Sequence, residues 1–526
     1  MKIDLYDTTL RDGAQSPGIS FTTEDKLRII SALDDFGVSY IEAGNPGSNP
    51  KDAELFEKAS GLDLKSAELC AFVSTCRAGA NAFEDEALIK TINAGTNIVT
   101  IFGKSWLLHV ERIIKTTAEE NIRMIFDSIR FLKENGKTVF FDAEHFFDGY
   151  INNQEYALRV LRTAKEAGAS AIILCDTNGG TMPDEIGRIT SEATKINIPV
   201  GIHCHDDNGL AVAGTLAAVK SGVTQVQGTI NGLGERCGAA NLCVVIPNLQ
   251  IKLKYDCVSS EKLKTLTSLA RYIAEIANSA FDESTPYIGG HAFTHKAGMH
   301  IDAVNKISSS FEHITPELIG NARNILISEI AGRAALINKM TRFAPEITKD
   351  SPELKNVLKL IKSYENDGYQ FENAEGSLAL LLLKSLGRRK IFFTIETFKL
   401  VLSEPDAATD KLNQTGALIK VKVDGREEIT AAEGDGPVNA LDKALRKALT
   451  MFYPKLGDMR LIDFKVRVLN STAATAAKVR VLIESSDNTH IWRTVGVSTD
   501  IIEASWNALL DSVEYKLSMD EGLLNL

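Results

Sequence analysis

The sequence predicts an α/β protein whose first half is a closed (β/α)8 TIM barrel, and three observations support this. Short apolar strands alternate with helical patterns from residue 1 to about residue 250. The alternation gives eight β/α units, which is the number and the size typical of such a barrel. An open doubly wound sheet usually has a glycine-rich dinucleotide turn after its first strand, whereas this chain has DTTLRDG there. The barrel is therefore the favoured fold.

Each predicted strand is a short apolar run, and the segments between the strands carry helical periodicity, as in Leu27, Ile30 and Leu33. The predicted strands are Ile3–Tyr6, Ser39–Ala43, Leu69–Val73, Asn97–Phe102, Thr138–Asp142, Ala171–Cys175, Pro199–His203 and Gln225–Gly228. A glycine stands where a helix should stop before the next strand. These glycines are Gly37, Gly95, Gly136, Gly168 and Gly222.

Two further regions follow the barrel, so we divide the chain into 1–275, 276–393 and 394–526. The middle region has helices and loops without strand alternation and is interpreted as a linker of small helical subdomains. The last region is an α+β module that repeats itself, with strands leading into a helix twice. It lacks clustered histidines, cysteines or paired acids, which favours a dimerisation module or a regulatory ligand site. The predicted elements of the repeat are strands Ala417–Val423 and Glu427–Ala431 with helix Val438–Phe452, and strands Lys478–Glu484 and Thr494–Val497 with helix Ile501–Leu517.

Composition narrows the possible functions. Hydrophobic residues make up 44% and charged residues 24% of the 526 residues, which is ordinary for a soluble globular protein. The net charge of −11 argues against nucleic acid, because phosphate binding needs a basic surface. The longest apolar run, Leu378–Leu383, is too short to span a bilayer, and the seven cysteines lack paired spacing. We therefore expect a cytoplasmic protein that binds neither nucleic acid nor membrane.

A metal site is predicted from two motifs far apart in the chain. Arg11 and Asp12 follow the first strand, at the barrel rim where chemistry is done. His203 and His205 form an H-x-H at the end of the seventh strand, so their imidazoles point the same way while Cys204 points away. One carboxylate and two neutral imidazoles can hold a divalent ion with open positions. The alternative is a capping Asp, a surface Arg and two histidines bonded to backbone groups.

Other polar residues fall at the same mouth. Glu42 closes the second strand and Glu144 ends the fifth, where carboxylates can position water, protons or a guanidinium. Each could instead be a structural ion-pair partner. Thr177, after the sixth strand, has a hydroxyl able to hold a carboxylate, and a helix cap is the competing interpretation. The glycines of residues 231–242, with Glu235 and Arg236, predict an anion site or a plain structural turn.

With these residues in view, the chain resembles the metal-dependent Claisen-condensing acyltransferases of the 2-isopropylmalate, homocitrate and citramalate synthase family. DTTLRDG, H-x-H, GERCG and HKAGMH occur in that family's order, and the resemblance covers essentially the whole chain. Such enzymes join acetyl-CoA to a 2-oxo acid and then hydrolyse the thioester. Segments such as IEAGNPGSNPKD and LCDTNGGT are most similar to the branch that uses pyruvate, so we expect citramalate and coenzyme A as products, feeding isoleucine biosynthesis.

The resemblance also implies a role for each candidate residue. Asp12, His203 and His205 would hold the divalent ion, which would be Mg²⁺, Mn²⁺ or Zn²⁺ and would bind the keto and carboxylate oxygens of the 2-oxo acid. The residues expected to contact the substrate are Arg11, Glu42, Thr177 and Phe102, with Phe102 lining the pocket and limiting it to pyruvate. The alternative for Phe102 is a plain core position.

Three residues are expected to be catalytic. Arg11 would neutralise charge on the developing alkoxide, Glu144 resembles the family's catalytic acid, and His300 of HKAGMH resembles its base or relay. In this family the histidine comes from the partner subunit, which implies a homodimer. The C-terminal module resembles the family's allosteric domain, which implies feedback by an amino acid, isoleucine for the pyruvate-using branch.

The chain departs from the family pattern at two positions, with Ala239 where Asn is usual and Phe311 where Tyr is usual. Asn241 lies two residues after the first and is a possible substitute. Three alternatives stay open: the same chemistry on oxaloacetate, 2-oxoglutarate or 2-oxoisovalerate, a metal-dependent aldolase or lyase, and a degenerate sensor that binds an amino acid.

Overall fold

The structure is a computed structural model that describes residues 1–325, 351–402, 415–469, 477–487 and 489–524. The chain forms two compact units. The first comprises Met1–Phe293 with Ile314–Arg323, and the second comprises Thr294–His313 with Asn324–Leu526. The predicted division at 275 and 393 stays a prediction, and residues 326–350 of the predicted linker lie outside the described part of the chain.

The first unit contains a closed barrel of eight parallel strands. Each strand pairs with the next in chain order, and β8 pairs with β1 to close the ring. The predicted (β/α)8 fold is therefore confirmed. The strands are β1 (Asp4–Asp7), β2 (Tyr40–Gly44), β3 (Glu68–Ser74), β4 (Ile98–Lys104), β5 (Thr138–Glu144), β6 (Ala171–Asp176), β7 (Val200–Cys204) and β8 (Gln225–Gly228).

Helices connect the strands, and their ends follow local sequence signals. The first helix begins with a capping box, in which Thr22 and Asp25 each bond the other's backbone amide. It ends at Gly37, whose φ of 97° is easily reached only by glycine. The other four glycines predicted as helix stops also have positive φ. The helices are α1 (Thr23–Phe36), α2 (Pro50–Ala59), α3 (Glu86–Asn93), α4 (Ala118–Glu134), α5 (Phe146–Asn152), α6 (Gln154–Glu166), α7 (Pro183–Ala193), α8 (Ala211–Lys220), α9 (Leu242–Pro247), α10 (Ser260–Leu263) and α11 (Leu266–Ile276).

Side chains on the barrel strands alternate between the interior and the helical layer. Phe140 belongs to a small interior cluster, whereas Val139 and Phe141 belong to the large core between the strands and the helices. Because side chains on a strand have a period of two, Asp142 and Glu144 share the inward direction of Phe140. The inward side chains near the carboxyl ends of the strands therefore form the barrel mouth.

Among its described residues, the second unit contains a small parallel sheet, three helices and the C-terminal repeat. Each copy of the repeat is a three-stranded antiparallel sheet with a helix after its third strand. The elements are β9 (Thr294–His295), α12 (Gly298–Lys306), β10 (Asn324–Ile325), α13 (Pro352–Asn366), α14 (Glu375–Ser385), β11 (Thr394–Leu402), β12 (Thr415–Val423), β13 (Arg426–Gly434), α15 (Pro437–Thr450), β14 (Arg460–Val468), β15 (Val479–Ser486), β16 (Ile491–Ser498) and α16 (Ile501–Asp520).

Strands β11 and β14, the first of each copy, were missed in the sequence. Both are edge strands, and β14 buries few of its side chains, so the apolar alternation that identifies a strand is weak there. Within the described residues, no helix combines the length and the apolar character needed to cross a membrane.

Candidate metal centre and active-site mouth

Three predicted ligands meet at the barrel mouth. The Nε2 atom of His203 lies 3.1 Å from Oδ2 of Asp12, and Nε2 of His205 lies 3.8 Å from the same oxygen. One ligand atom from each residue lies within 4.8 Å of those of the other two. The side chains are buried, with at most 9% of their surface exposed. The structure thus brings together residues from opposite ends of the barrel sequence.

The turn after β1 presents Arg11 and Asp12 to this point. The backbone amides of Arg11, Asp12 and Gly13 all donate to the carbonyl oxygen of Thr8, at 3.2, 2.9 and 3.1 Å. A tight turn thus follows β1 directly and sets the direction of both side chains. A Cβ atom at Gly13 would lie 3.3 Å from Cβ of Leu233, so the turn also packs closely against the loop after β8.

The chemistry of the three residues fits a divalent cation. Both carboxylate oxygens of Asp12 are buried and accept no hydrogen bond from any residue that the structure describes. A buried polar atom without a partner is costly, so a carboxylate left in this state fits a site that receives an ion. Carboxylate oxygen and imidazole nitrogen are common ligands of divalent metals, and three protein ligands leave positions for substrate oxygens or water.

Two of the three residues have protonation states that suit metal ligands, whereas at His203 the effect of burial is outweighed by the contact with Asp12, which raises the pKa of that imidazole. Burial alone would raise the pKa of Asp12, but the charge of Arg11 and the contact with His203 hold it well below its usual range. Burial, followed by the charge of His203, lowers the pKa of His205 to about 4. At neutral pH Asp12 is ionised and His205 is neutral, and both are forms that can bind a metal.

Two residues that the sequence did not single out support His203 from behind. Nδ1 of His203 lies 3.0 Å from Oε1 of Gln227, its register neighbour on β8. A bond from Nδ1–H to that oxygen leaves Nε2 free as a ligand. The amide of Gln227 in turn donates to Asp142 at 3.4 Å. Burial, and then the charge of Glu42, raises the pKa of Asp142 to about 7. Gln227 and Asp142 could have been identified in the sequence as polar residues at alternate, inward-facing positions of barrel strands.

Glu42 is enclosed rather than open to a substrate. It has no exposed surface, and its two oxygens accept from Nε of Arg11 at 2.5 Å and from the hydroxyl of Tyr6 at 2.7 Å. This geometry favours the ion-pair alternative over a direct substrate contact. Burial opposes the charge on Arg11, but the carboxylates of Glu42 and Asp12 raise the pKa of the guanidinium. Arg11 stays a fixed cation whose Nη1 lies 3.9 Å from Asp12.

Phe102 lies in an aromatic wall beside Arg11. Its ring stacks on that of Phe72, with centroids 5.0 Å apart and planes 12° from parallel. The guanidinium of Arg11 lies 4.2 Å from the centroid of Phe72. Phe102 is therefore part of a rigid wall close to the predicted metal ligands, and Phe72, which the sequence did not identify, shares that role.

Thr177 and Glu144 lie at neighbouring strand ends. The Oγ1 atom of Thr177 accepts from the backbone amide of His145 at 2.8 Å, so its hydroxyl supports the turn after β5 and caps no helix. Glu144 contacts the ammonium group of Lys104. Its carboxylate side chain is 23% exposed, so it is accessible from the mouth.

His300 belongs to the second unit, on α12, where it is exposed. Its ring stacks on Phe311, with centroids 4.0 Å apart and planes 25° from parallel. Phe311 occupies the position where the family usually has Tyr, and its ring keeps an aromatic contact without supplying a hydroxyl. Nearby, the buried His295 pairs with Glu312 at 3.2 Å.

The loop after β8 contains Ala239, one of the two predicted departures from the family pattern. Ala239 forms a bridge with His205, so a small apolar side chain lies beside a predicted ligand. The side-chain oxygen of Asn241 accepts from the amide of Cys243 at 3.0 Å and caps α9. Asn241 is therefore used structurally. Arg236 bonds Asp207 at 2.7 and 2.8 Å and the carbonyl of Thr177 at 2.7 Å, so this arginine ties two rim loops together.

Family models match three consecutive parts of the chain. Residues 2–273 match the HMGL-like model, residues 287–368 match the homocitrate synthase post-HMGL domain-like model, and residues 372–517 match the LeuA allosteric (dimerisation) domain. The first match covers the barrel with its predicted metal ligands, and the last covers the C-terminal repeat.

Curated relatives extend over the full length. An (R)-citramalate synthase of Aquifex aeolicus is 51% identical, covering 99% of this chain and 98% of the relative. One of Geobacter sulfurreducens is 48% identical with the same two coverages. A probable 2-isopropylmalate synthase of Methanopyrus kandleri is 31% identical, covering 97% and 98%. The chain therefore belongs to the family of the (R)-citramalate and 2-isopropylmalate synthases, whose barrel is of the HMGL-like type.

Proposed function

We propose that this chain is an acyltransferase that condenses acetyl-CoA with pyruvate and hydrolyses the thioester, giving (R)-citramalate and coenzyme A. The observation that carries the proposal is the convergence of Asp12, His203 and His205 on one point beside Arg11. The choice of pyruvate is supported by full-length relatives named (R)-citramalate synthase at 43–51% identity.

The three ligands would hold Mg²⁺, Mn²⁺ or Zn²⁺, which would act as a Lewis acid toward the keto and carboxylate oxygens of the 2-oxo acid. Arg11, kept charged and oriented by Glu42, would neutralise charge that develops on the keto oxygen. Thr177 accepts one hydrogen bond at its oxygen, so its own hydroxyl proton is available to the substrate carboxylate. Phe102 would limit the room for the 2-oxo acid side chain.

Proton transfer would fall to Glu144 and His300. Glu144 is at the mouth of the same barrel, and the proposed base or relay, His300, would come from the partner subunit of a homodimer. The match to a domain described as dimerisation supports the dimer. The same description, allosteric, supports feedback by an amino acid at the C-terminal repeat, for which we propose isoleucine. The cysteines are free thiols, which fits a cytoplasmic location.

A free-thiol assay with a panel of 2-oxo acids tests the reaction. The protein is incubated with acetyl-CoA and pyruvate, oxaloacetate, 2-oxoglutarate or 2-oxoisovalerate, with added Mg²⁺, Mn²⁺ or Zn²⁺ or after chelation. We expect thiol release with pyruvate to exceed that with the others, and chelation to remove it. Faster release with another acid would change the substrate, and no release with any acid would contradict the proposed activity.

Subunit mixing tests the shared site. His203→Ala and His300→Ala are each expected to be inactive, but a mixture that exchanges subunits should recover up to roughly a quarter of wild-type activity. In a mixed dimer the intact barrel of one chain meets the intact His300 of the other. His203→Ala mixed with Asp12→Asn is the control, because both changes disable the barrel. Exchange is followed with labelled subunits, and exchange without recovery would place His300 outside the site.

A further inference from the structure

A second ion pair lies at the barrel mouth, between the ends of β4 and β5. Lys104 and Glu144 are register partners on these adjacent parallel strands. Their side chains contact each other and are only 18% and 23% exposed. Neither the motifs nor the family resemblance assigns a role to Lys104.

The direction of both side chains places the pair inside the mouth. On β4, Ile98 belongs to the interior cluster, and Lys104 shares its direction because the two are separated by an even number of residues. On β5 the same alternation relates Glu144 to Phe140. The pair therefore faces the space above the barrel interior and not the surrounding helices.

The aromatic wall connects this pair with the metal centre. Arg11 lies over Phe72, Phe72 stacks on Phe102, and the ammonium nitrogen of Lys104 lies 5.9 Å from the centroid of Phe102. Two cations thus flank one pair of stacked rings. Arg11 reaches toward Asp12 at one end, and Lys104 holds Glu144 at the other.

The backbone beneath the pair is fixed by two fully buried side chains. The carbonyl oxygen of Glu144 accepts from the amide and from the hydroxyl of Ser105, at 3.2 and 2.6 Å. The carbonyl oxygen of Lys104 accepts from the side-chain amide of Asn121 at 2.8 Å. Such support is what holds reacting groups in a defined geometry. An ordinary surface ion pair, by contrast, has flexible side chains and little consequence.

We propose that Lys104 is the positioning residue of Glu144, fixing the direction of its carboxyl group at the mouth. The contact with the ammonium group restricts the rotamer of Glu144. Glu144 therefore meets the substrates as an oriented carboxyl group. This inference rests on the proposed function, since it concerns the step in which Glu144 takes part.

The test compares Lys104→Met, Lys104→Gln and Lys104→Arg with Glu144→Gln and with the double variant Lys104→Met/Glu144→Gln. We expect Met and Gln at 104 to lower kcat by roughly 10- to 100-fold, the size of change seen when a supporting contact of a reactive group is lost. The KM for pyruvate and the calorimetric affinity for metal should change little, because Asp12 and both histidines are untouched. Arginine should restore much of kcat.

The double variant separates positioning from an independent effect. If Lys104 acts through Glu144, removing Lys104 costs nothing more once Glu144 is already changed, so the two effects do not add. Lys137→Met is the matched control. Lys137 precedes β5 at the opposite end of the barrel and donates to the carbonyl of Thr96 at 2.7 Å, so its loss should lower the unfolding temperature without lowering kcat.

Two outcomes would overturn the inference alone. In one, wild type is active and Lys104→Met and Lys104→Gln lower kcat no more than Lys137→Met. In the other, the effects of the Lys104 and Glu144 changes multiply. A raised KM with unchanged kcat would likewise assign Lys104 to binding. If wild type releases no thiol with any 2-oxo acid, the proposed function fails and this inference fails with it, which is a distinct result.

Discussion

The barrel mouth and the C-terminal repeat both bury charged groups, but they satisfy them differently. At the mouth, neither carboxylate oxygen of Asp12 has a hydrogen-bond partner among the described residues. In the repeat, the ammonium group of Lys516 lies 3.0 Å from Asp487 and 2.6 Å from Asp520. A buried charge whose hydrogen bonds are satisfied supports the fold, whereas a buried carboxylate without hydrogen bonds fits a site that receives a ligand.

The largest expected effect follows from removing the charge of Asp12. Asp12→Asn should reduce metal-dependent turnover by roughly 1,000-fold or more, since one of three ligands loses its charge. The unfolding temperature measured without metal should fall, because the carboxylate lies beside Arg11 and His203, but the variant should stay folded since asparagine keeps the shape of the side chain. Calorimetry with the metal checks that binding is lost. Full activity in the variant would remove Asp12 from the metal site.

At Lys516 we expect the opposite result, a loss of stability without a loss of turnover. Lys516→Met removes a buried ammonium group that two partly buried carboxylates share, which should lower the free energy of unfolding by roughly 3 kcal/mol. Turnover at low temperature should be unchanged. Lys420→Met is the matched control, because Lys420 also bridges two acids, at 2.6 and 2.8 Å, but near the surface. Lys420→Met should change the free energy of unfolding little. Equal losses of stability in both variants would contradict the expectation that burial makes the Lys516 contacts more important.

A smaller effect is expected behind the metal ligands. Gln227→Leu removes the acceptor for Nδ1 of His203 and should weaken metal affinity by about 10- to 100-fold. Gln225→Leu is the control on the same strand, because the oxygen of Gln225 is buried without a hydrogen-bond partner among the described residues. Titration of both variants with metal measures the difference. Equal affinities would show that the bond to Gln227 does not hold the ligand.

The smallest effect concerns pH. Burial raises the pKa of Asp511 to about 6, although the hydroxyl of Ser377 donates to it at 2.6 Å. The folded state thus binds this proton more tightly than the unfolded state. Asp511 therefore lowers stability as pH rises from about 4 to about 6, by at most about 3 kcal/mol.

Asp511→Asn removes this titration. The unfolding temperature of the variant, relative to wild type, should be higher at pH 7.5 than at pH 4.5, and thermal unfolding at both values measures the difference. If the difference in unfolding temperature between variant and wild type is the same at both pH values, burial does not raise the pKa of Asp511.

Local patterns were enough to predict the barrel and the convergence of Asp12, His203 and His205. Each strand carries its own apolar run, and the H-x-H motif fixes two side chains on one face without knowledge of the rest. Arg11 and Asp12 could be placed at the barrel rim because they directly follow the first strand. The positive φ at the five predicted helix stops shows that a single glycine is also enough to predict where a helix ends.

Contacts between distant elements could not be predicted in the same way. The sequence does not distinguish Glu42 from a substrate-binding carboxylate. In the structure it is enclosed because Tyr6 of β1 and Arg11 of the following turn both donate hydrogen bonds to it. The sequence allows Asn241 to be a polar site residue, but in the structure its side-chain oxygen accepts a hydrogen bond from the first turn of α9. Lys104 has no motif, and its contact depends on which strand lies next to β4.

The pairing of β8 has a consequence for assembly. Asp12 comes from the turn after β1 and His203 from β7, and β8 is the strand that lies between and pairs with both. The ligands come together only when the last strand has joined the first. We therefore expect a refolding chain to gain affinity for a divalent cation only at the step in which β8 pairs with β1 and closes the barrel.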